Sequence, residues 1–341
     1  RSTRNSIDKL VSKNKMINIL VTGKNSNKNN KYSFFSIFSI NPENYNIGIT
    51  ILPHNFRIRL DNEGKKFGKI GELNFNNFIK TQTIRTLLID LKLHVPFYIE
   101  CTSDGIKNIV NLLSGVTIYN TGQLKSIYGT TKGLNYLDGK KIITYINSVK
   151  DNVARLKYDR ILDIIFTLYN NKKKIESSNK TEILMHFIKH INTNLLPQEF
   201  LRLGELAAKP GDLYSTVVPG KEINGFYVTD SIAYKIYKKD FLAPLVLKQP
   251  IIPKIKILNA TKIPRLARKL RNSLIRDGLN VVEFGTFNQF KLKRSIIISK
   301  KGNTSAANKV AKTVGIHNIY YNIDNTQLSN VLILIGEDQK K

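Results

Sequence analysis

Arg155 and Arg160 stand five residues apart at the start of a stretch with helical periodicity, Arg155–Tyr169. A guanidinium presents a donor fork that matches phosphate oxygens bidentately. Two of them near one helix end are therefore a starting point for anion binding, although a spacing of five turns them only partly the same way. Asp151 and Asp159 are the acids nearest to this pair. The same four residues also fit a solvated, ion-paired helix surface. Arg57 and Arg59 alternate in an extended segment and share one face, which suits the wall of a cleft or an exposed strand equally. Lys31 closes a polar run just before a β-rich stretch, and His54 follows Pro53 in a loop. No nucleotide loop, His/Asp/Glu metal motif or serine elbow is present. Cys101 is the single cysteine, which excludes an intrachain disulfide and multi-thiolate zinc sites.

The 341 residues carry 54 Lys/Arg against 25 Asp/Glu, a net charge of +29. Residues 254–341 hold 17 of the basic and 5 of the acidic residues, so the charge is spread over the chain. Such a balance favours polyanionic partners: phosphorylated lipids, anionic glycans or nucleic acid. Lys, Asn and Ile also dominate everywhere, so compositional bias accounts for much of it. The 31 Phe and Tyr are interleaved with lysine too diffusely to read as a nucleic-acid platform. No helix reads as a recognition helix with a partner, which leaves a nucleic-acid-binding regulator as the remote reading. No apolar window is long enough to span a bilayer.

The elements that must position these residues alternate between strand and helix. Residues 1–15 read as a frayed N-terminal stretch. Ile17–Val21 reads as a first strand, and Phe34–Ile40 and Tyr45–Ile51 as a hairpin turning at Asn41-Pro42-Glu43-Asn44. Helical periodicity marks Phe75–Leu91, Asp104–Leu113, Asp138–Ile146, Arg155–Tyr169, Thr181–Ile191 and Leu195–Ala208. Thr216–Pro219 and Phe226–Val228 read as a closing hairpin about Pro219-Gly220. The pattern predicts a linker over Phe241–Pro253, stiffened by three prolines. The tail then reads β-α-β-β-α-β, a compact α/β unit.

Several stretches, in order, resemble the LytR–CpsA–Psr family. They are Ile17–Gly23, Phe38–Pro42, Thr50–Pro53, Lys69–Gly71, Ser103–Ile118, Gly133–Ile146 and the helix opening at Arg155. Ile257-Leu258-Asn259-Ala260-Thr261, Leu266-Ala267 and Leu334–Asp338 resemble the C-terminal domain often found in that family. The resemblance implies an α/β/α domain with a central mixed sheet over 16–240, a linker over 241–253 and a small α/β domain over 254–338. It further implies an envelope protein outside the cytoplasm, anchored by a segment preceding Arg1, that handles a polyprenyl-diphosphate-linked or other anionic glycan at the cell wall or membrane surface. The family's activity is glycopolymer phosphotransfer, in which positive charge is fixed at the diphosphate oxygens and Mg2+ is held by carboxylates.

At most charged positions this chain departs from that pattern. Lys31 and Ser33 stand for an Arg and an Asp, His54 and Asn55 for another such pair, and Asn147 for an Arg. Arg155 survives, while Tyr158 replaces the next helix arginine. The resemblance therefore implies a catalytic set of Arg155 with Asp151 or Asp159. It implies a phosphate set of Lys31, His54, Arg57, Arg59, Lys69, Arg155 and Arg160, and only neutral oxygens of Asn25, Ser33 and Asn55 for Mg2+. The expectation is reduced or lost phosphotransfer with binding retained; the alternative is a noncatalytic envelope scaffold or protein-interaction module.

Overall fold

The computed structural model describes residues 6–24, 32–120, 130–147, 154–171, 180–247, 252–289, 291–324 and 326–339. A mixed six-stranded sheet forms its centre. The strands are β1 (Ile17–Lys24), β2 (Tyr32–Ile40), β3 (Ile47–Ile51), β6 (Phe97–Thr102), β9 (Ile191–Thr193) and β10 (Leu213–Val217), in the order β10-β3-β2-β1-β6-β9. β1 runs antiparallel to β2 and parallel to β6. The β2–β3 hairpin turns where Asn41–Asn44 predicts, and Asn41 Oδ1 accepts from Glu43 N at 2.9 Å.

Alternation along β1 sends Ile19 and Val21 to one face and Leu20 to the other. Helices α3 (Ser103–Leu112), α4 (Gly139–Asn147), α5 (Ala154–Asn170), α6 (Lys180–Ile188) and α7 (Pro197–Ala208) cover the first face, whose core includes Ile19, Phe34, Ile49, Phe166 and Leu203. The second face packs Leu20, Phe35 and Ile37 under α2 (Asn77–Leu91), the hairpin β4 (Arg57–Arg59)/β5 (Phe67–Lys69) and a C-terminal helical run. That run comprises α8 (Ser231–Tyr237), one π turn (Lys238–Leu242) and α9 (Ala243–Val246). The layers give the α/β/α architecture.

Three segments differ from the sequence expectation. The N-terminal stretch is not frayed throughout: α1 (Ser6–Ser12) buries Ile7 completely, and Ser6 N donates to Glu199 of α7 at 2.8 Å. Thr216–Pro219 does not form a hairpin with Phe226–Val228. Instead β10 joins the central sheet beside β3, and β11 (Lys221–Ile223) pairs with β12 (Phe226–Val228) across Asn224-Gly225, both at positive φ as a tight hairpin turn requires. The linker does not begin at Phe241, because Phe241 and Leu245 are core residues packed over Gly48.

The tail forms a second sheet, β14 (Asn280–Thr286), β13 (Lys254–Asn259), β17 (Val331–Ile335), β15 (Ile296–Ser299) and β16 (Ile319–Tyr321), in that order. Helices α10 (Leu266–Arg276) and α11 (Thr304–Val314) close one face. The other face receives Tyr119 from β7 (Val116–Asn120), which packs with Ile296, Ile298, Leu332 and Leu334. β7 pairs with β8 (Gly133–Leu137) in the first domain, so the two domains share a core.

Candidate functional site: an apolar cavity and a polar cleft at the carboxyl ends of β1 and β6

The chain passes β1-β2-β3 on one side of the sheet before returning to β6 on the other. The order therefore reverses between the parallel neighbours β1 and β6, where ligands of open α/β sheets bind. Two cavities meet there, and both are lined by Lys24 and Cys101.

The first, about 310 Å³, lies between the sheet and α3–α6. Val21, Phe34, Ile99, Ile106, Val110, Ile143, Ile161, Ile164, Leu168 and Phe187 give it an almost wholly apolar wall, while Thr22, Lys24, Ser103 and Asn147 supply its polar groups. The wall follows from periodicity: α3 and α5 each present apolar residues at spacings of three and four. Burial pushes the Cys101 thiol up to about 12, so it remains protonated at neutral pH.

The second cavity is a more open cleft of about 560 Å³ on the α2 side. Glu100 forms its floor and is 8% exposed. Its Oε1 accepts from Lys80 Nζ at 2.5 Å and Asn192 Nδ2 at 2.8 Å, and its Oε2 accepts from the Tyr32 hydroxyl. Burial, then the contact with Glu100, raises the Tyr32 phenol far above its ordinary range. Lys80 also lies 3.8 Å from the centroid of Tyr98. None of these residues figured in the sequence reading. A buried Lys–Glu pair 20 positions apart leaves no local pattern; the available signal was Glu100's place near the end of the strand beside β1.

The predicted site residues scatter. Asn25, Lys31 and Asp151 lie outside the described residues, as do the side chains of Ser33 on β2 and Arg155 in the first turn of α5. His54 follows β3 at the same sheet edge; its carbonyl accepts from Gly71 N at 2.9 Å. Its ring occupies the space beside Gly71, where an added Cβ would fall 2.2 Å from it. The His54 backbone N–H donates to Tyr158, whose phenol burial nevertheless raises to about 12. Asn55 Nδ2 reaches Gly225 O at 3.5 Å.

Arg57, Arg59 and Lys69 belong to the hairpin on the second face, the layer opposite the apolar cavity. Arg57 lies over the Phe67 ring at 4.6 Å, Arg59 pairs with Asp90 at 2.8 Å, and Lys69 pairs with Glu72 at 3.1 Å. All three thus stand in the layer opposite the apolar cavity, each with a partner of its own.

Arg160 and Asp159 do not stand on an open helix surface: both are buried, 5% and 2% exposed. Arg160 turns away from the cavity toward the tail domain. Its Nη2 donates to Ile323 O at 3.0 Å, and its Nε lies 3.2 Å from Asp163 Oδ2 as an ion pair without aligned hydrogen-bond geometry. Asp163 Oδ1 accepts from Ile323 N at 2.6 Å and its Oδ2 from the Tyr145 hydroxyl at 3.0 Å. Burial raises the Asp163 carboxyl, opposed by Arg160 and these donors. The cluster thus fastens α4 and α5, two walls of the cavity, to the C-terminal domain. Ser215 N to Gly302 O at 2.7 Å and Leu213 N to Thr304 Oγ1 at 2.8 Å extend the seam.

Asn55 offers a neutral amide, and among the described residues no group of three His, Cys, Asp or Glu could hold a metal ion. Carboxylate charge is the main source of affinity for this hard cation.

Residues 253–338 match the family model described as LytR cell envelope-related transcriptional attenuator. The structure of TagT bound to LI-WTA superposes with a TM-score of 0.55 at 15% identity, covering 70% of this chain and 93% of that one. A LytR-CPS2A-psr family protein, YwtF (TagT), with bound octaprenyl pyrophosphate lipid gives 0.51 at 14%, covering 68% and 91%. Protein gbs0355 from Streptococcus agalactiae gives 0.56 at 15%, covering 73% and 93%.

The chain has the LytR–CpsA–Psr fold and carries a LytR-type C-terminal domain.

A separate similarity, 26% identity over 97 residues to phosphatidylcholine-sterol acyltransferase of Oryctolagus cuniculus, spans 28% of this chain and only 22% of that enzyme. Among the described residues of this LytR–CpsA–Psr-fold chain, no helix is long and apolar enough to cross a membrane.

Proposed function

We propose that this chain is a cell-envelope protein that binds a polyprenyl-phosphate-linked glycan, with the prenyl chain in the apolar cavity and the phosphate at its polar end. The observation that carries this reading is the cavity itself: a slot walled by branched aliphatic side chains that opens at the β1/β6 switch point beside Lys24, Ser103 and Asn147. A soluble domain gains nothing in stability from an unfilled slot of this kind, since its lining forgoes dispersion contacts. The same fold holds octaprenyl pyrophosphate in one neighbour and LI-WTA in another. The positive charge of the chain suits an anionic headgroup.

Binding without efficient phosphotransfer is the favoured form. The described residues bring no carboxylate cluster to a metal, and Arg160 and Asp159 are committed to the interior. Arg155 remains the residue proposed to meet the phosphate, and Asn25, Ser33 and Asn55 would offer Mg2+ only neutral oxygens.

Octaprenyl diphosphate binding by calorimetry tests the reading. Val21→Phe places a ring in the slot; displacing about two methylenes costs about 1.6 kcal/mol, more than tenfold in affinity, with little change in folding. Failure of the wild-type protein to bind the lipid, or unchanged affinity in this variant, refutes the proposal. Sustained Mg2+-dependent phosphate release that Arg155→Ala abolishes would refute the nonturnover form.

A further inference from the structure

We propose that the open edge of β14, in the C-terminal domain, takes up an extended acidic segment of a partner protein as an added strand. The site lies in the tail sheet and is independent of the lipid reading above.

Three observations carry it. First, β14 ends the tail sheet, and its seven residues make it the longest edge strand among the described residues. The opposite edge, β16, has three residues and packs against α5 and β7. Alternate N–H and C=O groups of an edge strand point away from the sheet, which makes the edge a template for another chain. Second, a bulge gives this edge an apolar foothold. Ile255 pairs with Val281 and Lys256 with Glu283, so Val282 is the extra residue. The extra residue shifts the alternation and turns Phe284 to the same face as Val281, the face that α10 covers. Phe284 remains 40% exposed there, and Ile275 of α10 is 44% exposed. Third, charge selects the occupant. Arg271 lies over the Phe284 ring at 5.1 Å, which fixes the side of α10 that borders the edge. Arg268 and Ile275 stand three residues before it and four after it, on that same side. Glu283, the acid of β14, belongs to the other face and is paired with Lys256 at 2.6 Å. The tail carries 17 basic and 5 acidic residues over 254–341. An added strand with acidic and aliphatic side chains toward α10 would meet Arg268 and Arg271 with the former and Phe284 and Ile275 with the latter. Backbone pairing along Glu283–Thr286, where the regular ladder resumes, supplies affinity, and charge picks the partner.

The test is fluorescence anisotropy of a labelled heptapeptide, Thr-Glu-Thr-Ile-Thr-Glu-Thr with blocked ends, titrated with the full chain. Saturable binding is expected, and none by the version with Lys in place of Glu. N–H groups of alternate peptide residues face β14 in an added strand. N-methylation of one alternating set should therefore weaken binding at least about tenfold, and methylation of the other set should leave it nearly unchanged. Arg268→Glu, a change on an exposed side chain, should weaken binding about fivefold without moving the melting temperature. Absence of binding at about 1 mM overturns the inference. Equal effects of the two methylated sets also overturn it, because charge attraction alone does not distinguish them. Displacement of the peptide by inorganic polyphosphate at matched charge would assign the basic row to a polyanion instead. Sedimentation of the peptide-free chain as a dimer that the peptide does not dissociate would assign the edge to a second copy, and either result overturns the proposal.

Discussion

Replacing Asp163 with alanine is the most direct probe of how the two domains act as one body. Asp163 is fully buried and holds the Ile323 N–H, the Tyr145 hydroxyl and the Arg160 guanidinium. Its removal leaves Arg160, itself 5% exposed, with the Ile323 carbonyl, the Tyr145 hydroxyl and the charge of Asp159, but without its ion-pair partner. Breaking a buried pair by removing one partner costs about 3–5 kcal/mol, because an uncompensated charge stays in low dielectric. The melting temperature should fall by roughly 10 °C. The double variant Arg160→Met/Asp163→Leu removes both charges and keeps apolar volume, so it should recover most of that loss. Denaturant unfolding of the wild type, both single variants and the double variant supplies the coupling energy. Hydrogen exchange should place the opening at β15, β16 and α11. An Asp163→Ala loss below about 1 kcal/mol, or strictly additive single effects, would refute the reasoning.

Two further perturbations follow from buried contacts. Burial lowers the Lys300 pKa from 10.5 to about 8, and Nζ donates to Asn322 Oδ1 at 2.5 Å. The unfolded state therefore binds more protons between these values, and stability rises with pH through that window. Between pH 7 and 9.5 the wild-type protein should gain about 2 kcal/mol over Lys300→Met; parallel stability curves would sink this account. In Gly139→Ala the new Cβ would fall 2.2 Å from the Lys107 carbonyl oxygen, a backbone atom of α3 that cannot rotate away. The variant should lose about 1–3 kcal/mol by thermal unfolding and loosen the α3–α4 wall of the cavity, whereas an unchanged melting temperature would show that the helices separate freely.

Much of the fold was legible because periodicity and turn chemistry agreed. The β2–β3 hairpin, the helices from Asn77 to Ala208 and the strand-helix alternation of the tail all carry their own local signals. The mistaken hairpin around Pro219 arose from giving β10 a sequential partner. Its real partner is β3, more than 150 residues earlier, and nonlocal parallel pairing leaves no turn to read. The π turn at Lys238–Leu242 was hidden for a similar reason: Pro244 reads as a helix stop, yet it sits at the start of α9 where its missing N–H costs little.

The site was less legible than the scaffold because charge in this chain does two jobs that the sequence cannot tell apart. Arg160 and Arg155 belong to one helix and look alike in type. Burial decides Arg160: Ile161, Ile164, Ile165 and Leu168 turn one face of α5 into the apolar cavity, while Arg160 and Asp163 turn another toward Ile323. A helix with cavity-lining apolar residues on one side and an interdomain ion pair on another couples the two by construction. Any shift of α5 that widens the slot also displaces Asp163 from the Ile323 amide, a contact of 2.6 Å with no slack. The LytR-type domain thus constrains how far the cavity wall can move: a ligand that needs a wider cavity would weaken docking of the tail by the same free energy that docking takes from its binding.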